Sequence, residues 1–241
     1  MTENGSSSEA TVPSLRNQLS VIFIIDDTRL TLIRATYINL AFAVAAAIVG
    51  AQIGAGLNWL TAAMTQWYGA IAALVVLNVV PTVALALRRY PMLGFAGLLL
   101  DGFVSGLILG PLIGTLSSSL LGRNILTQAV VLTIFVFIST TYMVFVLRQT
   151  YSAPRMLVNS LAIVALSGCV LGLFYAHTLL QVFTTIVIGA LGVVGLVSGT
   201  SAVLEDEAID DSISGALMLF AAIFNVFIAC VRLLSIFSDD E

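Results

Sequence analysis

Residues 92–115 read MLGFAGLLLDGFVSGLILGPLIGT. The stretch is long enough to cross a hydrocarbon core ~30 Å thick, which takes ~20 helical residues. Its only charge is Asp101, and its glycines Gly102, Gly106, Gly110 and Gly114 recur every fourth residue. Four residues make about one helical turn, so the glycines form one stripe where a second helix can come close and pack by dispersion. An apolar run with a small-residue seam and one buried-by-position acid is the pattern of a helix inside a membrane bundle.

The rest of the chain repeats the pattern. No charged side chain lies between Arg34 and Arg88, and none between Arg155 and Glu205 apart from His177. Of the 241 residues 59% are hydrophobic and 9% charged, where a soluble domain carries roughly a quarter charged. Six further stretches are long enough to span: approximately 30–54, 67–87, 125–147, 156–175, 179–204 and 213–237. They are apolar all round rather than alternating over ~10 residues, so they predict helices and not barrel strands. The expected organisation is a polar, disordered tail over 1–29 with a short interfacial segment, a seven-helix transmembrane domain over 30–237, and an acidic tail over 238–241.

Every basic residue is Arg, and the formal net charge is −4. This argues against nucleic acid as a partner, since binding it needs a basic patch. Arg16, Arg29, Arg34, Arg88, Arg89, Arg148 and Arg155 fall on one side of a seven-span topology; Arg123 and Arg232 fall toward the other. Positive charge collects in cytoplasmic loops, which predicts the N-terminus inside and the C-terminus outside. Cys169 and Cys230 lie within apolar runs and read as small buried residues.

Two further glycine-and-alanine seams, Ala46-Gly50-Gly54 and Gly192-Gly195-Gly199, predict close helix contacts. Pro81 and Pro111 predict kinks. On the last span, Asn225 and Arg232 are seven residues apart and share a face, which suggests that this side points inward.

The order and spacing of four segments resembles the Bax inhibitor-1 family over roughly 32–237. They are Arg34-Ala35-Thr36-Tyr37, Gly106-Leu107-Ile108-Leu109-Gly110-Pro111, the Ser/Thr-and-Tyr texture of 127–142, and the closing helix with Phe224-Asn225-Val226-Phe227 and Arg232-Leu233-Leu234. The resemblance implies an all-α membrane protein in which six helices surround a central C-terminal one. It also implies a role in ion homeostasis: members are proposed to leak calcium under pH control, and others are linked to cell-death suppression or to control of a membrane protease. The family's pH sensor is a pair of aspartates late in the sixth helix and in the seventh. The matching positions here are Gly199 (or Ser198) and Ala222, and none is acidic.

The candidate membrane and pore residues are therefore Asp101, Arg34, Asn225 and Arg232. An acid at a helix centre costs on the order of 2.5–3.5 kcal/mol, so Asp101 is expected neutral or paired, with Arg34 as the candidate partner, unless it lies close enough to the surface to reach water. Arg232 is expected to snorkel to the interface or to meet a carbonyl or the C-terminal acids. Glu205, Asp206, Glu207, Asp210 and Asp211 crowd one loop and could draw in cations, although their spacing is not that of an EF-hand; a plainly solvated loop is the simpler reading.

Nothing predicts an enzyme. There is no P-loop and no His-Glu-x-x-His. His177 and Ser201 stand at opposite ends of one span, roughly 36 Å apart at 1.5 Å per residue. An intramembrane aspartyl protease needs a second membrane aspartate. No cofactor is expected, and Ca²⁺ enters only as an ion to be carried. The expected partners are the lipid bilayer and, in the competing reading, another membrane protein regulated without conduction. The expected location is a prokaryotic plasma membrane.

Overall fold

A computed structural model describes residues 27–146, 155–174, 178–205 and 211–238, apart from the side chains of Asp27, Thr28, Arg155 and Glu205. The N-terminal tail, His177, Asp206, Glu207, Asp210 and the last three residues lie outside this description. The described residues form eight helices and no strand: α1 Asp27–Ala55, α2 Asn58–Met64, α3 Trp67–Leu87, α4 Pro91–Ser117, α5 Leu120–Phe145, α6 Arg155–Phe174, α7 Thr178–Glu205 and α8 Ser212–Ser238. All but α2 are long and apolar enough to span, so this is an all-α integral membrane protein with seven spans. Pro81 and Pro111 lie inside continuous helices.

Two boundaries differ from the sequence reading. The short helix α2 turns the chain between α1 and α3. Helix α5 begins five residues earlier than expected, because the Ser119 hydroxyl accepts a hydrogen bond from the Gly122 amide (3.0 Å) and caps it. An exposed N-cap serine does the same for helices in water.

The glycine seams of the first and third spans are each other's partners. A Cβ on Gly106 would lie 2.8 Å from Ala47 Cα and closer still to the Ala47 carbonyl. One on Gly110 would lie 2.5 Å from Gly54 Cα. Only glycine permits backbones this close, and the reward is continuous dispersion contact along both helices. On α1 the contact runs through Ala43, Ala47, Gly50 and Gly54, so Ala46 is one residue out of the seam.

Helix α8 is the centre of the bundle. It packs against α1, α3, α4, α5 and α7, and it contributes Ala216, Leu217, Leu219, Phe220, Ala222 and Val226 to the main core cluster. The remaining helix, α6, meets α7 and α3 instead. It faces α8 across a cavity.

The first turn of α8 is clasped by its neighbours. Asp211 Oδ1 accepts from the Ser214 amide (2.7 Å) and Oδ2 from the Ser214 hydroxyl (2.8 Å). Arg88, at the end of α3, donates to Ser214 Oγ (3.1 Å) and lies 3.8 Å from Asp211 Oδ2. Asn39 of α1 donates to Ser212 Oγ (3.0 Å). Arg29 donates to the Leu204 and Ala202 carbonyls (3.2 and 3.3 Å), satisfying the last turn of α7. Arg29 and Arg88 thus share one end of the bundle with the start of α8. Arg123 sits at the other end, donating to the Ser117 carbonyl (2.7 Å).

Candidate functional site: a membrane cavity around Asp101

Helix α4 places Asp101 ten residues from its start, which is ~15 Å along the axis and about half-way through the hydrocarbon core. The residue is 3% exposed. Its carboxylate makes no hydrogen bond and no ion pair with the described residues, and it lines a cavity of about 360 Å³. The walls come from five helices: Leu74, Asn78 and Pro81 of α3, Asp101 and Ser105 of α4, Ala165 and Cys169 of α6, Ile188 and Leu191 of α7, and a stripe of α8. The α8 stripe is Ala221, Asn225, Ile228 and Arg232, spaced 4, 3 and 4 and so on one helical face. Gly94 of α4 meets Ile213 of α8, so the two helices start at the same end. Asp101 therefore stands near the level of Ala221, with Arg232 some 16 Å farther along.

The cavity is open on one side. Helices α3 and α6 barely meet, and Asn78, Leu166, Ala221 and Arg232 on its lining stay exposed. The lining is mostly apolar; its polar groups are Asp101, Ser105, Asn78, Asn225, Cys169 and Arg232.

Three of the four membrane residues singled out from sequence, Asp101, Asn225 and Arg232, thus meet in one cavity. Arg34 does not join them. It is exposed on α1 and makes no contact with Asp101. The reason is rotational. Arg34 precedes Ala43 by nine residues, about 180° around the helix at 3.6 residues per turn, and Ala43 faces α4. The expected Asp101–Arg34 pair is replaced by an acid with no protein partner among the described residues. Nor does Asp101 lie near the surface.

The acidic loop is described only at Asp211. Both of its oxygens are engaged by Ser214 and Arg88, so it acts as a helix cap and clasp rather than as a free cation ligand. Glu205 lies in α7 without a described side chain, and Asp206, Glu207 and Asp210 fall outside the described residues.

A family model described as "Inhibitor of apoptosis-promoting Bax1" matches residues 29–239. The chain belongs to the Bax inhibitor-1 family. No curated protein matches it. Where Bax inhibitor-1 resemblance would place the aspartate pair, this member packs small residues tightly. A Cβ on Gly195 would lie 3.0 Å from Ala222 Cβ, and one on Gly199 would lie 3.2 Å from Leu219 Cδ2. Ser198 is buried and spends its hydroxyl on the Val194 carbonyl (2.7 Å). The α7–α8 seam holds no carboxylate at these positions.

One feature of this Bax inhibitor-1 bundle escaped the sequence reading. Most helical hydroxyls here donate to a carbonyl three or four residues back, as Thr133, Thr140 and Ser201 do. The buried hydroxyls of Thr36, Thr141, Thr200 and Tyr37 have no hydrogen-bond partner among the described residues. The Tyr37 phenol faces Thr141 and Thr200 between α1, α5 and α7, with its ring set against Phe137 and Phe145. Only the Ser/Thr-and-Tyr texture of the fourth span hinted at it.

Proposed function

We propose that this Bax inhibitor-1 family member passes cations across the membrane or regulates their passage, using Asp101 as the group that attracts them. One observation carries the reading: a carboxylate 3% exposed, without a partner among the described residues, on the lining of a cavity of about 360 Å³ that opens between α3 and α6. A lone acid at such a depth is costly. Intramembrane acids of this kind mark ion pathways more often than packing. Calcium is the ion the family resemblance suggests. On the arginine distribution, the start of α1 faces the cytoplasm, and a prokaryotic plasma membrane is the setting.

The test is flux in proteoliposomes carrying an internal cation indicator, at two pH values. Asp101→Asn preserves size and removes the charge. It is expected to abolish most of the cation flux of the unaltered protein. Equal flux and an equal pH response in both would overturn the proposal.

A second reading draws on the α7–α8 seam. Sealed by Gly195, Gly199 and Ala222, it offers no titratable gate there, which suits a non-conducting protein that binds another membrane protein. Absence of any flux from the unaltered protein, together with stable co-purification of a membrane partner, would favour it.

A further inference from the structure

The cavity is poorly suited to a bare hard cation. Such ions take six to eight oxygens, several of them carboxylate. Among the described residues Asp101 is the only carboxylate on the lining. Among the described residues no three of His, Cys, Asp and Glu come together anywhere. The remaining oxygens on the lining side chains are one hydroxyl, Ser105, and the amides of Asn78 and Asn225.

Apart from Ser105, the two asparagines and, some 16 Å farther along, Arg232, the lining around Asp101 is apolar and aromatic. Phe220 and Phe224 both line the cavity and stack with centroids 6.0 Å apart at 28°. Leucines and an isoleucine from α3 and α7 complete the wall, and Cys169 adds a polarizable sulfur. A carboxylate beside aromatic rings in an apolar chamber matches a cation whose charge is dressed in carbon. Such an ion sheds little hydration on arrival, gains attraction from the rings, and fills the volume with its alkyl groups. The opening between α3 and α6 faces the surface of the bundle, which in a seven-span protein is lipid. A lipophilic ion partitioned into the bilayer can therefore enter sideways.

We propose that the cavity is a binding site for lipophilic organic ammonium ions, held by Asp101 and by Phe220 and Phe224 and admitted from the bilayer between α3 and α6. The proposal rests on the reading of Asp101 as a cation-attracting group, and it narrows the cation to one chemical class.

Tetrapropylammonium is a suitable probe, applied to the full-length protein in detergent or nanodiscs. Binding by calorimetry is expected to be saturable. Asp101→Asn should weaken it about 30-fold or more, the usual loss when a buried charge loses its partner. Phe224→Leu, which keeps the apolar volume, should weaken it about threefold. The native Cys169 gives a readout that needs no variant: bound probe should slow its alkylation by a maleimide.

No saturable binding, or binding and Cys169 protection unchanged by Asp101→Asn, would overturn the inference. So would displacement of the probe by sodium, potassium or calcium at matched ionic strength. Asp101-dependent flux of inorganic ions without tetrapropylammonium binding would also overturn it, while leaving the proposed function in place. Probe binding without any flux would do the reverse.

Discussion

Gly106→Ala is the sharpest test of how this bundle is held together. The added methyl would sit 2.6 Å from the Ala47 carbonyl carbon and 2.8 Å from its Cα. Both atoms are backbone of α1, so no side-chain rotation can make room. Carbon atoms need ~3.5 Å or more, so α1 and α4 must separate by about 1 Å. The separation is shared along the whole seam and loosens Gly50 and Gly54 against Phe103, Leu107 and Gly110 as well. Overpacking costs about 1–3 kcal/mol, and a rigid backbone clash places this variant at about 3 kcal/mol. Gly114→Ala supplies the internal scale. Its methyl would lie 3.3 Å from Ala55 Cβ and oxygen, so a shift of a few tenths of an ångström suffices, at about 1 kcal/mol. Gly172→Ala is the control, since nothing lies within 4 Å of its added methyl; no loss is expected. Thermal unfolding of the three purified variants in one detergent, followed by loss of the monodisperse peak, gives the order. Gly106→Ala melting with Gly172→Ala would refute the claim that this close approach carries stability.

The clasp on α8 makes a separate prediction. Asp211→Ala removes the cap and should cost about 1 kcal/mol by the same assay. Asp211→Asn keeps an acceptor for the Ser214 amide and should lose less, because the half-exposed Arg88 pair is worth no more than about 1 kcal/mol; equal losses would contradict the cap. Orientation is tested by thiol labelling in intact cells. An impermeant reagent should reach Ser118→Cys and miss Tyr90→Cys until the membrane is opened, and the opposite pattern would invert the topology. The flux loss expected of Asp101→Asn should appear without a matching loss of stability, measured on the same preparation.

The spans were legible because the bilayer imposes one rule on all of them. An apolar run of about 20 residues must be helical, and 67–87 was read to the residue. The start of α5 was not, because Ser119 acts through a hydrogen bond that hydropathy does not register. Glycine spacing revealed that α1 and α4 each have a seam, but not that the seams meet, since periodicity contains no partner. Asn225 and Arg232 were placed on one face by their spacing of seven. That Asp101 faces the same cavity depends on how α4 turns against α8, which is tertiary information. Arg34 shows the limit most plainly: depth in the membrane made it a candidate partner, and rotation about α1 removed it. The buried hydroxyls of Thr36, Thr141 and Thr200 were invisible because most similar residues in this chain spend theirs on their own helix.

The clasp at Asp211 and Ser214 also gives the bundle a mechanical asymmetry. Helix α8 has 27 residues and is therefore about 40 Å long. Side-chain bonds to α1 and α3 hold its first turn, while its later turns border open space on the α6 side. A tilt of α8 toward the cavity would pivot about this clasped first turn. A swing of about 5° moves the far tip by about 3 Å, and Arg232 rides near that tip. Bending forces in the membrane, or a partner pressing on the far end, would act on the cavity with the full length of the arm.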